Sequence, residues 1–104
     1  MSNITAARAA VTKRILDGEG HTTREQRKAA FDNAVVPEGA RLLLEKVTQR
    51  AAQIGDEDIA AAKAAGLAED QIFELVVCAA IGQATRQYDN AFAALAQATA
   101  TETK

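Results

Sequence analysis

Apolar residues recur at helical spacing from the start of the chain. Four of them lie three or four residues apart, which places them on one face of a first, short helix: Ile4, Ala7, Val11 and Ile15. The polar run from Asp17 to Gly20 ends that helix. A second helix is predicted from about Thr23 to Asn33, with Ala30 and Phe31 as its apolar anchors. The preceding Thr22-Thr23-Arg24-Glu25 has the form of a capping box, in which a threonine oxygen and a returning glutamate satisfy free amide groups.

The pattern changes at Pro37, where a third helix is predicted to begin. Proline is favoured in the first turn of a helix, and Glu38 suits the positive end of the helix dipole. The apolar positions of this helix continue to its predicted end before Gly55: Leu42, Leu43, Leu44, Val47, Ala51 and Ile54. Asp56 is the predicted N-cap of a short, alanine-rich fourth helix, and Gly66 is its predicted left-handed C-cap.

The last predicted helix is the longest, beginning at Glu69-Asp70 and running to about Ala98. Seven of its apolar residues recur at spacings of three and four: Phe73, Val77, Ala80, Ala84, Tyr88, Ala91 and Leu95. The stretch from Ile72 to Ile81 is apolar almost all round, which predicts burial on more than one side. Gly82 marks either a close packing contact or a kink, and residues 99–104 read as a polar, frayed tail.

The pattern as a whole predicts an all-α fold of about five helices in a single domain, residues 1–104. Only 4% of the residues are aromatic, so alanine, leucine, isoleucine and valine must form the core. A final helix of nearly thirty residues would span roughly 45 Å, longer than the body of so small a domain. The far end of this helix would need another surface to pack against. Because most soluble oligomers are symmetric assemblies of one chain, a second copy is the simplest source of that surface, and we expect a homo-oligomer.

Charge and cysteine content narrow the classes of partner. The net charge of −2 argues against nucleic-acid and anionic membrane partners, although residues 1–52 carry +3 and residues 53–104 carry −5. These unequal halves are either solvated helix faces or complementary surfaces of neighbouring subunits. The longest run without charge, Leu75 to Thr85, is too short to span a membrane. A single cysteine and the absence of a recognisable leader predict a soluble, cytoplasmic protein.

One segment carries a family resemblance. The run Asp56 to Val77, DEDIAAAKAAGLAEDQIFELVV, is followed at residues 79–86 by AAIGQATR. This short helix ending in Ala-Ala-Gly-Leu, with an acidic cap and then a long apolar helix, resembles the AhpD-like carboxymuconolactone decarboxylase superfamily. The resemblance covers residues 37–95 and implies an AhpD-like helical bundle.

The redox motif of that superfamily is missing. Members that reduce peroxides or disulfides carry Cys-x-x-Cys-x-x-x-His at the start of the short helix, where the helix N-terminus lowers a thiol pKa. The matching positions are Ala51, Ile54 and Asp58, and no cysteine precedes Cys78. The sequence therefore argues against thiol peroxidase activity by the family's route. The resemblance still leaves open decarboxylation, which requires neither a redox cysteine nor a cofactor.

Such an enzyme would need a proton donor or acceptor and a cation to hold a carboxylate. Glu57, Asp58 and Glu74 are the candidates for proton transfer, and Arg86 for a small carboxylate ligand. Gln83 lies three residues before Arg86 and shares its face, so this pair is the predicted ligand-facing or subunit-facing site. Each candidate also has a structural interpretation, because acidic residues stabilise helix starts and polar residues solvate helix faces.

Cys78 and His21 are weaker candidates for chemistry. Cys78 lies within Val-Val-Cys-Ala-Ala, where a thiol acts as a small apolar side chain. His21 falls in a predicted exposed turn, and no cysteine, aspartate or second histidine is expected nearby. One histidine and one distant cysteine cannot form an ordinary zinc site, so no metal is predicted.

These observations support three functional hypotheses. The first is a non-redox, oligomeric binding or interaction module, since packing signals are present and catalytic motifs are absent. The second is a cofactor-free decarboxylase or isomerase of small carboxylic acids. The third is an accessory subunit that docks on a larger enzyme through the long helix.

Overall fold

The computed structural model describes residues 2–36 and 38–102, and it is all-helical over these ranges. Its five α-helices are α1 (Ser2–Asp17), α2 (Arg24–Phe31), α3 (Glu38–Gln49), α4 (Asp56–Ala64) and α5 (Glu69–Glu102). The predicted all-α fold with five helices and a long C-terminal helix is confirmed. The predicted role of Pro37 and the side chain of Ile4 lie outside the described part of the chain.

The helix starts differ by one residue from the predicted caps. The N-cap of α2 is Thr23, whose hydroxyl accepts the Gln26 N–H at 3.1 Å while the Gln26 side chain accepts the Thr23 N–H at 3.0 Å. The returning side chain of the capping box is therefore Gln26 and not Glu25. At α4 the N-cap is Gly55, whose N–H donates to Asp58, so Asp56 is the first helical residue instead of the cap.

Several helix ends also differ from prediction. Helix α3 stops at Gln49, and a 3-10 turn over Ala51–Gln53 replaces its predicted last turn. Helix α2 stops at Phe31, because Asn33 takes a left-handed backbone conformation. Gly66 has φ +104°, which confirms the predicted left-handed position after α4. Residues 99–102 continue α5 where a frayed tail was expected.

Helix α5 forms the centre of the fold, and its first half packs on α2 and α3. The core consists of small and aliphatic side chains: Ala30, Ala40, Leu43, Leu44, Ala62, Ile72, Leu75, Cys78 and Ala79. At Gly82 the backbone of α5 meets the end of α2 so closely that an added Cβ would lie 1.9 Å from the Phe31 carbonyl oxygen. Gly82 is thus a packing contact, and α5 continues through it without a break.

The predicted apolar stripe of α5 does not face this core. We call its seven residues the outer stripe: Phe73, Val77, Ala80, Ala84, Tyr88, Ala91 and Leu95. At 3.6 residues per turn they all fall within about 40° of Ala84, while Leu75 and Gly82 lie on the opposite side of the helix. Phe73 is 69% exposed and Leu95 is 64% exposed. Helix α5 therefore has two apolar sides, of which its own chain buries one.

The second half of α5 is exposed to solvent, although Arg8 of α1 contacts it at Tyr88 and Asp89. Every residue from Gln87 to Ala100 is exposed, and the molecule measures 58 × 29 × 20 Å. A helix of 34 residues accounts for this long dimension, since it spans about 51 Å at 1.5 Å per residue. The far end of α5 thus presents apolar side chains to solvent.

Candidate functional site

Arg86 and Gln83, the predicted ligand site, are used inside the protein. Gln83 accepts a hydrogen bond at 3.0 Å from one guanidinium nitrogen of Arg86. The other nitrogen donates to the carbonyl oxygen of Phe31, the last residue of α2. A cation at this position satisfies a free carbonyl and opposes the negative end of the helix dipole. The structure therefore gives Arg86 a structural partner, which a carboxylate ligand would have to displace or share.

Glu74 binds the turn that connects α1 and α2. Its carboxylate accepts the His21 N–H at 2.7 Å, the Thr22 N–H at 2.9 Å and the Thr22 hydroxyl at 2.7 Å. Partial burial alone would raise the pKa of Glu74, but these three hydrogen bonds outweigh it and hold the pKa below its ordinary value. A carboxyl group that stays ionised with its oxygens occupied is a poor proton donor near neutral pH.

The acidic start of α4 is also tied into the fold. Asp58 accepts a hydrogen bond from the Gly55 N–H at 2.9 Å and forms an ion pair with Lys46 at 2.9 Å. The Gly55 hydrogen bond, and after it the Lys46 ammonium, lower the pKa of Asp58. Glu57 is exposed in the first turn of α4, where its negative charge interacts favourably with the positive end of the helix dipole.

The candidate catalytic residues do not meet in one site. Glu74 and Arg86 are twelve residues apart on α5, which separates them by about 18 Å along the helix. A small cavity of about 190 Å³ beside Glu74 is lined by Arg14, Arg27 and Cys78 among others, but not by Arg86. The structure thus places the predicted acids and the predicted cation apart, and each of them has its own structural role.

Two residues of that cavity, Cys78 and Arg27, belong to the interior. Burial raises the pKa of the Cys78 thiol, and the charge of Arg27 opposes this only in part. Arg27 is 5% exposed and donates to the carbonyl oxygens of Ile15 at 3.2 Å and Gly18 at 2.6 Å, at the C-terminal end of α1. Arg27 lies three residues before Ala30, which is also buried, so the two share the inner face of α2.

His21 has an acidic neighbour that the sequence separation hid. Its side chain lies 3.5 Å from the Asp70 carboxylate, although both groups are largely exposed. The expectation that no aspartate lies near His21 is therefore wrong, because the turn before α2 packs against the start of α5. Among the described residues, no three histidine, cysteine or acidic side chains converge as metal ligands.

The outer stripe lies beside an open apolar groove between α1 and α5. The groove has a volume of about 350 Å³ and includes Val11, Ile81 and Ala84. At its end, Arg8 stacks over the Tyr88 ring, 4.2 Å from the ring centroid, and forms an ion pair with Asp89 at 2.8 Å. Ala84 and Tyr88 of the outer stripe are part of the groove lining.

The chain matches no protein-family model, no curated protein and no solved structure. The AhpD-like resemblance of residues 37–95 therefore stays a hypothesis based on the sequence pattern. In the described part of the chain, none of the helices combines the length and apolar character that crossing a bilayer requires.

Proposed function

We propose that this chain is a non-redox interaction module that associates with further copies of itself through α5. The outer stripe is the observation that carries the proposal. Its residues are apolar along about 33 Å of helix and lie on the side of α5 opposite its buried core residues. Two of them, Ala84 and Tyr88, also line the groove beside α1. Extended exposed apolar surfaces mark interaction sites in soluble proteins.

The residues considered for chemistry support the same proposal. The Cys78 thiol is buried, and the carboxylates of Asp58 and Glu74 have lowered pKa values and internal partners. A decarboxylase or isomerase would need an acid or base in a concave site beside a free cation. No arrangement of that kind favours the enzyme hypothesis among the described residues.

The experiment measures molar mass by light scattering on the purified chain. We expect the native chain to elute at a multiple of its 11.0 kDa mass. Leu95→Lys places a charge in the outer stripe, so it should shift the chain toward the mass of a monomer.

Leu42→Lys is the matched control, because Leu42 is 63% exposed on α3, outside the outer stripe. This variant should associate as the native chain does. A native chain that stays monomeric at high concentration would contradict the proposal. The same molar mass for Leu95→Lys and Leu42→Lys would also contradict it.

A further inference from the structure

Arg27 has an unused hydrogen-bonding edge in the interior of the protein. The side chain is 5% exposed, and Nη1 donates both of the hydrogen bonds that it forms with described residues, to the carbonyl oxygens of Ile15 and Gly18. Nε is buried and has no hydrogen-bond partner. Buried polar atoms in proteins are nearly always hydrogen-bonded, so an unpaired donor on a charged side chain indicates a place for a ligand acceptor.

This edge has the geometry that a carboxylate recognises. The Nε–H bond and one N–H bond of Nη2 run nearly parallel on the side of the guanidinium opposite Nη1, and Nη2 takes no part in the bonds to α1. Such a fork donates two hydrogen bonds to the two oxygens of one carboxylate. Arg27 lines the cavity of about 190 Å³ beside Glu74, which makes that cavity the place to look for the acceptor.

Glu74 brings an acceptor to the same cavity. It accepts two hydrogen bonds at Oε1 and one at Oε2, whereas an ionised carboxylate offers about four acceptor positions. Glu74 and Arg27 form no ion pair with each other in the described part of the chain, although both line the cavity. Arg14 and Glu19 also lie in its wall, so positive and negative charges balance there and a simple anion gains little from net charge.

We propose that this cavity binds a small amino acid as a zwitterion, with its carboxylate on the Nε–Nη2 edge of Arg27 and its ammonium group at Glu74. A ligand with both charges satisfies both side chains at once. The cavity has the volume of about six water molecules at ~30 Å³ each, and alanine has about that number of non-hydrogen atoms. Ile15, Phe73 and Val77 provide apolar wall for a short side chain.

A ligand in this cavity would join separate parts of the fold. Arg27 holds the end of α1, and Glu74 of α5 holds the turn that follows α1. A ligand that binds only the folded chain stabilises that chain by mass action. The inference does not depend on self-association, and it adds a class of ligand to the proposed interaction module.

Isothermal titration calorimetry with L-alanine on the full chain tests the class of ligand. We expect saturable binding, and a melting temperature that rises with the L-alanine concentration. Propionate lacks the ammonium group and ethylamine lacks the carboxylate, so each should bind at least about tenfold more weakly, because each loses hydrogen bonds to a charged group. Equal binding of L-alanine and propionate would overturn the proposal, as would the absence of L-alanine binding in the millimolar range.

Val77→Phe tests the location without removing a polar group. Val77 lines the cavity, and the larger ring should fill part of it and abolish L-alanine binding. Val35→Phe is the matched control, because Val35 is 93% exposed and lies outside the cavity. Circular dichroism verifies that both variants keep their helices. L-alanine binding that is the same in both variants would place the ligand elsewhere and overturn the proposal.

The Nε–H group of Arg27 gives the most direct readout. Its ¹⁵N NMR signal should shift when L-alanine is added, and Arg27→Lys identifies the signal by its loss. Lysine keeps the charge but not the fork, so this variant should also lose most of the affinity. If Arg27→Lys does not fold, through-bond assignment from the Arg27 backbone amide identifies the signal instead. A signal that stays unmoved while L-alanine binds would contradict the assignment to this cavity.

Discussion

At the scale of single residues, several polar side chains of the interior and of the candidate site bind the protein's own backbone. Arg27 and Arg86 donate to carbonyl groups at the ends of α1 and α2, and Glu74 accepts two backbone N–H groups of the turn between them. Unpaired polar groups are costly in a protein interior, so these bonds stabilise a fold that has few large side chains. The polar positions that interrupt α5 are thus explained by helix ends and a turn.

Replacing Glu74 tests this interpretation. Glu74→Gln removes the charge that three donors share, and we expect the free energy of unfolding to fall by about 1–3 kcal/mol at neutral pH. Urea unfolding followed by circular dichroism measures it. Glu69→Gln is the control, because the ion pair of Glu69 with Lys63 is exposed and should contribute less.

The effect of Glu74 should depend on pH with a definite sign. Because folding lowers the pKa of this carboxyl, its stabilisation is fully present above the ordinary glutamate pKa. It is lost as the pH falls through the lowered pKa of the folded state. The native chain and Glu74→Gln should therefore converge in stability at acidic pH. A gap that persists unchanged in acid would show that the Glu74 charge does not provide the stabilisation.

At the scale of helices, the contact between α2 and α5 depends on the absence of a side chain at Gly82. Helix propensity alone predicts that Gly82→Ala stabilises the protein by about 0.5–1 kcal/mol. The structure predicts the opposite sign, a loss of about 1–3 kcal/mol, because the new methyl group would overlap the Phe31 backbone. Thermal or urea unfolding decides between the two. A stabilised variant would mean that α2 does not approach α5 this closely.

The helices were largely predictable from the sequence, because their signals are local. Thr23 marks the start of α2 because its hydroxyl satisfies a free backbone N–H group. Gly66 marks the end of α4 because glycine readily adopts the left-handed conformation found there. The orientation of α5 was not predictable in the same way, since both of its sides are apolar and periodicity does not say which one the chain itself buries. The bonds of Glu74 and Arg86 were missed because their partners are more than fifty residues away.

At the scale of the whole molecule, one chain leaves an apolar side of its longest helix exposed. It buries the inner side of α5 against α2 and α3 and leaves the outer stripe on a helix that extends beyond the body. Self-association through the outer stripe would cover its exposed side chains without changing the fold of either chain. The proposed function therefore predicts a particle of more than one chain.

Small-angle X-ray scattering on the native chain measures mass and length together. The proposed function predicts the mass of at least two chains and a maximum dimension well below twice the 58 Å of one chain, because copies that associate through α5 lie side by side. A single-chain mass across the concentration range would contradict self-association. A two-chain particle nearly twice as long would contradict the pairing along α5.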